Sequence, residues 1–446
     1  MDFDWEKIFN EGIEHLQNLI RIDTTNPPGN EINAVLYLKE HLEKEGFNVL
    51  IFEPIVGRGN IITKLEGDKS KPPIVLSSHL DVVGANPKEW EYHPFSGTIA
   101  NGYIWGRGAV DMKNMTVYNL MTMLLLKRLN IPLKRDVIFV AVADEETGSD
   151  WGMKWLVENK PELLKSEYAL NEVGGFTIHI GKGRVYPIQV VEKGYVWIRV
   201  KVKGAGGHGS IPQDNNAMFH ISKIINKLSH KSLPLIVTPV SKEFINNLAS
   251  QLSFPNSIIL KSILNPITSN FILKNLIPDK DKAKVFSAML HNTINPTCIN
   301  SNSSSVNVMS TEVNLILDCR ILPGFTPESF LENLKKFIGL NYEFEVMKSG
   351  SSVLTPANTP FFEHIEKVIK ENDPGSITTQ YLNVGITDTK FLNKLGIKTY
   401  GFSPVKLSPD IAFSSLFHGI NERIPINGFN FGIKVMFELV KSFCEK

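Results

Sequence analysis

The sequence predicts an α/β fold: a central mixed sheet flanked by helices, with a smaller α+β domain inserted into it. Three observations predict this. Asp136-Val-Ile-Phe-Val-Ala-Val-Ala143 is a near-continuous β run of the kind covered on both faces. Strand-like and helix-like segments alternate around it. The pattern then changes near Glu192-Lys193-Gly194 to half-exposed strands and returns to mixed α/β from about Gly350. The expected domains are therefore 1–192 with 350–446, and an insert at 193–349. A chain of 446 residues is too long for one ordinary core, which agrees with more than one domain.

Taken in order, Trp5, Ile8, Phe9, Gly12, Ile13, Leu16 and Leu19 recur at helical spacing, and Asp23 to Gly29 breaks the helix with two prolines and a glycine. Ala34, Val35, Leu38 and Leu42 mark a second helix. Ile61–Lys64 and Ile74–Ser77 read as strands, and Met112–Leu129 as a buried helix. In the insert, Val196, Ile198, Val200 and Val202 alternate with polar residues, as one face of a half-exposed strand should. A helix is expected from about Asn216 to Leu228, a strand ending at Leu317-Asp318-Cys319-Arg320, a helix at Pro327–Ile338 and a strand at Tyr342–Met347. The apolar, proline-containing stretch from Lys231 to His291 reads as helical.

The bulk numbers exclude several function classes. A net charge of +1 gives no basic excess for nucleic acid or an anionic membrane. Met1-Asp2-Phe3-Asp4-Trp5 opens acidic, without the basic and apolar regions of a secretory leader, and no apolar stretch is long enough to span a bilayer. Cys298, Cys319 and Cys444 are scattered and lack C-x-x-C spacing, which argues against a thiolate zinc site and for a reducing compartment, the cytoplasm.

The chemistry lies in spaced histidines and carboxylates. His79 follows Ile74–Ser77, Glu145 and Glu146 follow Val137–Ala143, and Glu172 follows Tyr168–Asn171. Strand ends are where open α/β sheets bind ligands. Asp111 lies in the glycine-rich turn Gly106-Arg107-Gly108-Ala109-Val110-Asp111, and His418 follows Phe417 near the end of the chain. Two histidines and three carboxylates (Asp111, Glu146, Glu172) suit a pair of borderline divalent ions, with Zn²⁺ first and Co²⁺ or Mn²⁺ as alternatives. Leaving Glu145 outside that set provides a general base, and adjacent strand residues point oppositely, so two neighbouring glutamates can divide the roles. Asp81, two residues after His79, fits the carboxylate that fixes a ligand histidine's tautomer. Each residue has a plainer reading. Asp111 suits a helix N-cap, Glu145 and Glu146 a solvated loop, and a lone histidine is more often structural. Their joint order and context favour the metal reading.

The same stretches carry a family resemblance. Ser78-His79-Leu80-Asp81, Gly106 to Lys113, Asp144-Glu145-Glu146-Thr147-Gly148-Ser149, Asn171-Glu172-Val173-Gly174-Gly175, Gly206-Gly207-His208-Gly209-Ser210, Asn295-Pro296-Thr297, Asp318-Cys319-Arg320 and Phe417 to Glu422 resemble, in order, the M20 metallopeptidases, the group of aminoacylases, carboxypeptidases and desuccinylases. The long 231–291 stretch resembles the larger lid of the carboxypeptidase S and N-acyl amino acid hydrolase branch. The resemblance implies a dinuclear-metal catalytic domain interrupted by a lid that also forms a homodimer. It implies His79 and Glu172 on one metal, Glu146 and His418 on the other, Asp111 between them and Glu145 as base. It implies that His208 reaches the partner subunit's site, and that Asn295, Arg320 and Thr387 contact substrate. Arg320 has a second reading, as a salt-bridging residue. Val384-Gly385-Ile386-Thr387-Asp388 departs from the commoner Gly-Gly-Thr-Asp, with Ile386 replacing a small residue.

The expected activity is hydrolysis of an amide or peptide bond next to a free carboxylate, in an N-acyl amino acid or a peptide. A metal-dependent phosphoesterase uses the same ligand types, and a non-catalytic binding protein can keep the fold. A serine hydrolase is disfavoured because no G-x-S-x-G elbow occurs.

Overall fold

In the computed structural model the described residues are 4–230, 233–411 and 413–446. The reading of the first three residues, and the start of the 231–291 stretch at Lys231 and Ser232, lie outside them. The chain divides into two compact units. One comprises the chain up to Val190 with Thr355–Tyr381 and Thr387–Lys446; the other comprises Val191–Leu354 with Leu382–Ile386.

The first unit is built on a mixed sheet. Its strands run, side by side, Val49–Phe52, Asn60–Leu65, Val137–Val142, Ile74–His79, Tyr168–Asn171 and Lys398–Gly401, followed by Gly183–Glu192, whose last two residues belong to the second unit. The run from Val137–Val142 to Lys398–Gly401 is parallel, and the flanking pairs are antiparallel. Every residue of Val137–Val142 and of Ile74–His79 is buried, because helices cover both faces of the parallel part. Burying a Val, Leu or Ile side chain is worth about 1.5–3 kcal/mol, so these strands anchor the unit.

The helix Lys113–Arg128 is buried from Lys113 to Leu126 and packs beside Ile74–His79 and the helices Trp5–Arg21 and Ile426–Cys444. The close approach of the last of these needs Gly432, where a Cβ would lie 2.3 Å from Tyr118 Cζ and 2.4 Å from the Pro404 carbonyl oxygen. Lys113, wholly buried, donates from Nζ to the carbonyls of Leu19 and Ile22 at 2.9 and 2.8 Å, closing the C-terminus of the first helix.

The second unit is α+β. Its antiparallel sheet runs Thr293–Ser301, Glu312–Ile321, Gly194–Lys203, Glu343–Gly350. Val196, Ile198, Val200 and Val202 face Ala217–His230 and Pro327–Ile338 in one core with Leu315, Leu317, Phe330 and Leu334. Proline at the helix start and a capping box between Thr326 and Ser329 begin Pro327–Ile338. The described part of 233–291 resolves into the helices Pro239–Ser250, Asn256–Lys261, Ser269–Asn275 and Lys280–Leu290. Thr293–Ser301 has no apolar alternation because it is an exposed edge strand, with a register shift between Pro296 and Cys298.

Candidate metal centre

Three neighbouring parallel strands end together at the site. His79 is the last residue of Ile74–His79, the Glu145–Thr147 turn follows Val137–Val142, and Glu172 follows Tyr168–Asn171. Asp111 precedes the helix Lys113–Arg128, in a turn with a cis peptide between Asp111 and Met112. His418 stands in a turn, with φ of 57° and its side chain 47% exposed.

These residues converge. His79 Nε2 lies 3.2 Å from Asp111 Oδ1 and 3.7 Å from Glu172 Oε2. His418 Nε2 lies 3.1 Å from Asp111 Oδ2 and 3.1 Å from Glu146 Oε1. Asp111 therefore turns one oxygen to each imidazole. Donor atoms of His79, Glu145 and Glu172 lie within 4.8 Å of one another, as do those of His79, Asp111 and Glu146. Glu145 is thus close enough to the cluster to be a donor or a base. Asp111 is not a helix N-cap, since the helix it precedes has no side-chain cap.

The electrostatics favour cations. Burial, then the neighbouring Glu172, pushes Glu145 well above the usual carboxylate range. Burial, then Asp111, raises Glu146 to about 7. Burial likewise raises Glu172, and raises Asp388 to about 6. Burial alone would raise Asp111, but His418 and His79 hold it well below its ordinary value. Hydrogen bonds to Asp111 and Glu146 push His418 up to about 10. Crowded carboxylates that draw protons this strongly are a donor set fitted to divalent ions. His79 Nδ1–H donates to the Asp81 carbonyl at 3.0 Å, which leaves the Nε2 lone pair for a metal.

Two local expectations are corrected. Glu145 and Glu146 are not strand neighbours: they lie in a 3₁₀ turn, preceded by Asp144 with φ of 70°. Their separation comes from the turn rather than from strand alternation. The Asp81 carboxylate is not the main partner of His79, since its Oδ1 stands 3.4 Å from Nδ1 while the backbone carbonyl takes the proton. Instead Asp81 Oδ1 accepts from the Glu145 amide at 3.0 Å and Oδ2 from the Glu146 amide at 3.1 Å.

The remaining candidates are placed differently. Thr387 is buried; its hydroxyl accepts from Asn171 Nδ2 at 3.2 Å and from the Thr389 amide at 3.1 Å, which ties it to the residue before Glu172. His208, Asn295 and Arg320 belong to the second unit. His208 is exposed on the short strand Gly207–His208, and its Nδ1 accepts from the Ser210 amide at 3.2 Å, so a neutral ring carries its proton on Nε2. Asn295 lies on the exposed edge strand opposite Asp318. Arg320 donates from Nε and Nη2 to Asp318 at 2.7 and 2.9 Å. Its paired donors are engaged within the chain, as in the salt-bridging reading.

Sequence reasoning passed over Glu422. Wholly buried, it accepts from Arg107 Nη1 at 2.7 Å and from the amides of Val110 and Asp111 at 2.8 and 3.2 Å, so it fixes the backbone under Asp111. Its only signal was its position in the stretch that begins at Phe417.

The family model described as Peptidase family M20/M25/M40 matches residues 75–442. The chain belongs to that family. As an M20 protein it is a metallohydrolase that binds divalent metal. It is 26% identical over 454 residues to mouse N-fatty-acyl-amino acid synthase/hydrolase PM20D1, across 96% of this chain and 87% of the relative. It is 24% identical over 445 residues to aminoacylase-1 of Dictyostelium discoideum, across 97% and 98%. Among solved structures, the M20 family metallo-carboxypeptidase Sso-CP2 from Sulfolobus solfataricus aligns with a TM-score of 0.70 at 21% identity, over 97% of this chain and 98% of that one. Human carnosine dipeptidase 1 aligns at 0.68 and 16%, over 98% of each. These structures share the M20 fold described above. Among the described residues no helix is long and apolar enough to cross a membrane.

Proposed function

We propose that this M20 metallohydrolase cleaves an amide bond next to a free carboxylate, in an N-acyl amino acid or a peptide, with two zinc ions. The carrying observation is Asp111, one oxygen toward His79 and the other toward His418, with Glu145 beside the pair. His79 and Glu172 would hold one ion, Glu146 and His418 the other, and Asp111 both. Bound divalent ions supply Lewis acidity at the scissile carbonyl and lower the pKa of the attacking water. Glu145 Oε takes the proton from that water and passes it to the leaving nitrogen. Its place beside the cluster, outside the proposed ligand set, suits a group that must hold a proton between two steps. Asp81 holds the Glu145 amide and so aims the carboxylate. N-acyl amino acids are favoured by the names of two relatives, the mouse N-fatty-acyl-amino acid synthase/hydrolase and the slime-mould aminoacylase-1.

In the same reading the chain is a homodimer joined through its second unit, and His208 of each protomer donates from Nε2 to the developing oxyanion in the other. Asn295 and Arg320 would contact the substrate carboxylate; Arg320 would then have to exchange its Asp318 partner for it. Thr387 would act behind the site through Asn171. The free Cys298, Cys319 and Cys444 favour the reducing cytoplasm.

The test is a panel of N-acetyl and long-chain N-acyl amino acids, dipeptides and nitrophenyl phosphate, run on zinc-, cobalt- and manganese-loaded protein. Amide hydrolysis that chelation abolishes and metal restores is expected. Hydrolysis of the phosphate alone, or full amide turnover in protein shown to be metal-free, would overturn the reading.

A further inference from the structure

Against the catalytic turn lies a buried polar network of which the reaction scheme above uses only Asp81. Its centre is Arg58, 7% exposed. Nη1 donates to Glu31 Oε1 at 2.6 Å; Nη2 donates to Asp144 Oδ1 at 2.5 Å and to Asn26 Oδ1 at 2.8 Å. Asn26 Nδ2 then donates to Asp81 Oδ2 at 2.8 Å and to Asp144 Oδ1 at 3.2 Å. Asp144 also accepts from the Thr147 hydroxyl and, at 3.1 Å, from the Trp151 amide. The network therefore grips both ends of the turn that carries Glu145 and Glu146. It grips the start through Asp144, the two glutamate amides through Asp81, and the end through the Thr147 hydroxyl, which accepts from Asn26 Nδ2 at 3.1 Å.

The space for this guanidinium is built. A Cβ on Gly29, whose φ is +81°, would lie 1.5 Å from Arg58 Nη1 and 2.4 Å from Cζ. Asn26, Gly29 and Glu31 thus come from one loop wrapped around one side chain. A lysine has the charge but not the fork: it cannot reach Glu31 and the Asp144–Asn26 pair with two fixed donors.

We propose that Arg58 is a positioning residue for Glu145, its forked guanidinium setting the Asp144 and Asn26 contacts that hold the catalytic turn in register. It acts through that turn and touches no substrate. The inference rests on the assignment of Glu145 as base.

The test uses full-length zinc-loaded protein and N-acetyl-methionine, or alanyl-alanine if the panel above favours peptides. Arg58→Lys and Gly29→Ala are each made in the wild-type and Glu145→Gln backgrounds, with kcat, KM, melting temperature and metal content measured. In the wild-type background kcat should fall about 10- to 100-fold with metal content unchanged, the cost of a slightly misplaced group. In the Glu145→Gln background Arg58→Lys should cost less than about threefold, because groups that act as a unit are not additive. Gly29→Ala keeps the arginine but crowds it, and should reproduce the pattern even where Arg58→Lys folds poorly. Three outcomes overturn the proposal: a lowered melting temperature with wild-type kcat, equal losses in both backgrounds, or loss of metal in place of kcat. Full activity of Glu145→Gln itself would instead remove the base assignment, and this proposal with it.

Discussion

Asp81 and Glu145 meet through the backbone: Asp81 Oδ1 accepts from the Glu145 amide at 3.0 Å, and its other oxygen takes the next amide, that of Glu146. One buried carboxylate thereby sets the direction of two consecutive glutamates whose proposed tasks differ. The bond also ties the end of Ile74–His79 to the turn after Val137–Val142, its neighbour in the sheet.

Asp81→Asn is the first prediction. Asparagine can keep one amide acceptor, but its NH₂ group faces the second amide as a donor. We expect both metals to remain and kcat to fall roughly 10- to 100-fold, the scale of a small misplacement. Metal analysis with steady-state kinetics checks it; wild-type kcat would show that the turn holds itself.

The second prediction separates the neighbours. Glu145→Gln should keep both metals and most substrate affinity while losing roughly 10²–10⁴-fold in kcat, the usual contribution of a general base. Glu146→Gln should lose metal, since Glu146 faces His418 at 3.1 Å. Reversed phenotypes would exchange the two roles.

The third concerns acid stability away from the site. Burial alone would raise the pKa of Asp373, but Arg184, Lys406 and Tyr186 donate to it at 2.8, 2.8 and 2.9 Å and hold it below its ordinary value. A carboxylate depressed on folding stabilises above its unfolded pKa, and that contribution is lost as pH falls through the folded one. Asp373→Asn should therefore be less stable than wild type by roughly 2–3 kcal/mol at pH 6, the scale of hydrogen bonds to a charged group. The gap should begin to close below about pH 4, where ordinary aspartates protonate, and vanish once pH has fallen through the lower folded pKa. Denaturant unfolding of both proteins at several pH values measures it; a gap independent of pH would contradict the assignment.

The fourth tests the dimer. Glu145→Gln and His208→Ala homodimers should each be nearly inactive. In a mixed dimer, the His208→Ala chain keeps its own Glu145 and receives His208 from the partner, so one site is whole. Random pairing of equal amounts leaves about half the dimers mixed and should make about one site in four active. No recovery, with mixed dimers demonstrated, would rule out the cross-subunit role.

The sequence by itself determined the elements whose signal is local. Val137–Val142 is apolar throughout and Ile74–His79 opens Ile-Val-Leu because both faces are covered, and Pro327–Ile338 announces itself by its capping residues and periodicity. It also set the candidate donors at the ends of those strands, because a parallel sheet aligns its carboxyl ends. What it could not determine is the direction of each side chain, since that depends on partners distant in the chain. Only the tertiary structure gave the Asp81 carboxylate two amides as its nearer partners, with the imidazole at 3.4 Å, and engaged Arg320 with Asp318. Only it placed Glu422 under Asp111 through Arg107, 315 residues away. It also buried Arg58 among Glu31, Asn26 and Asp144, for a physical reason: a charge removed from water must find its partners in three dimensions, and sequence spacing carries no record of which ones it finds.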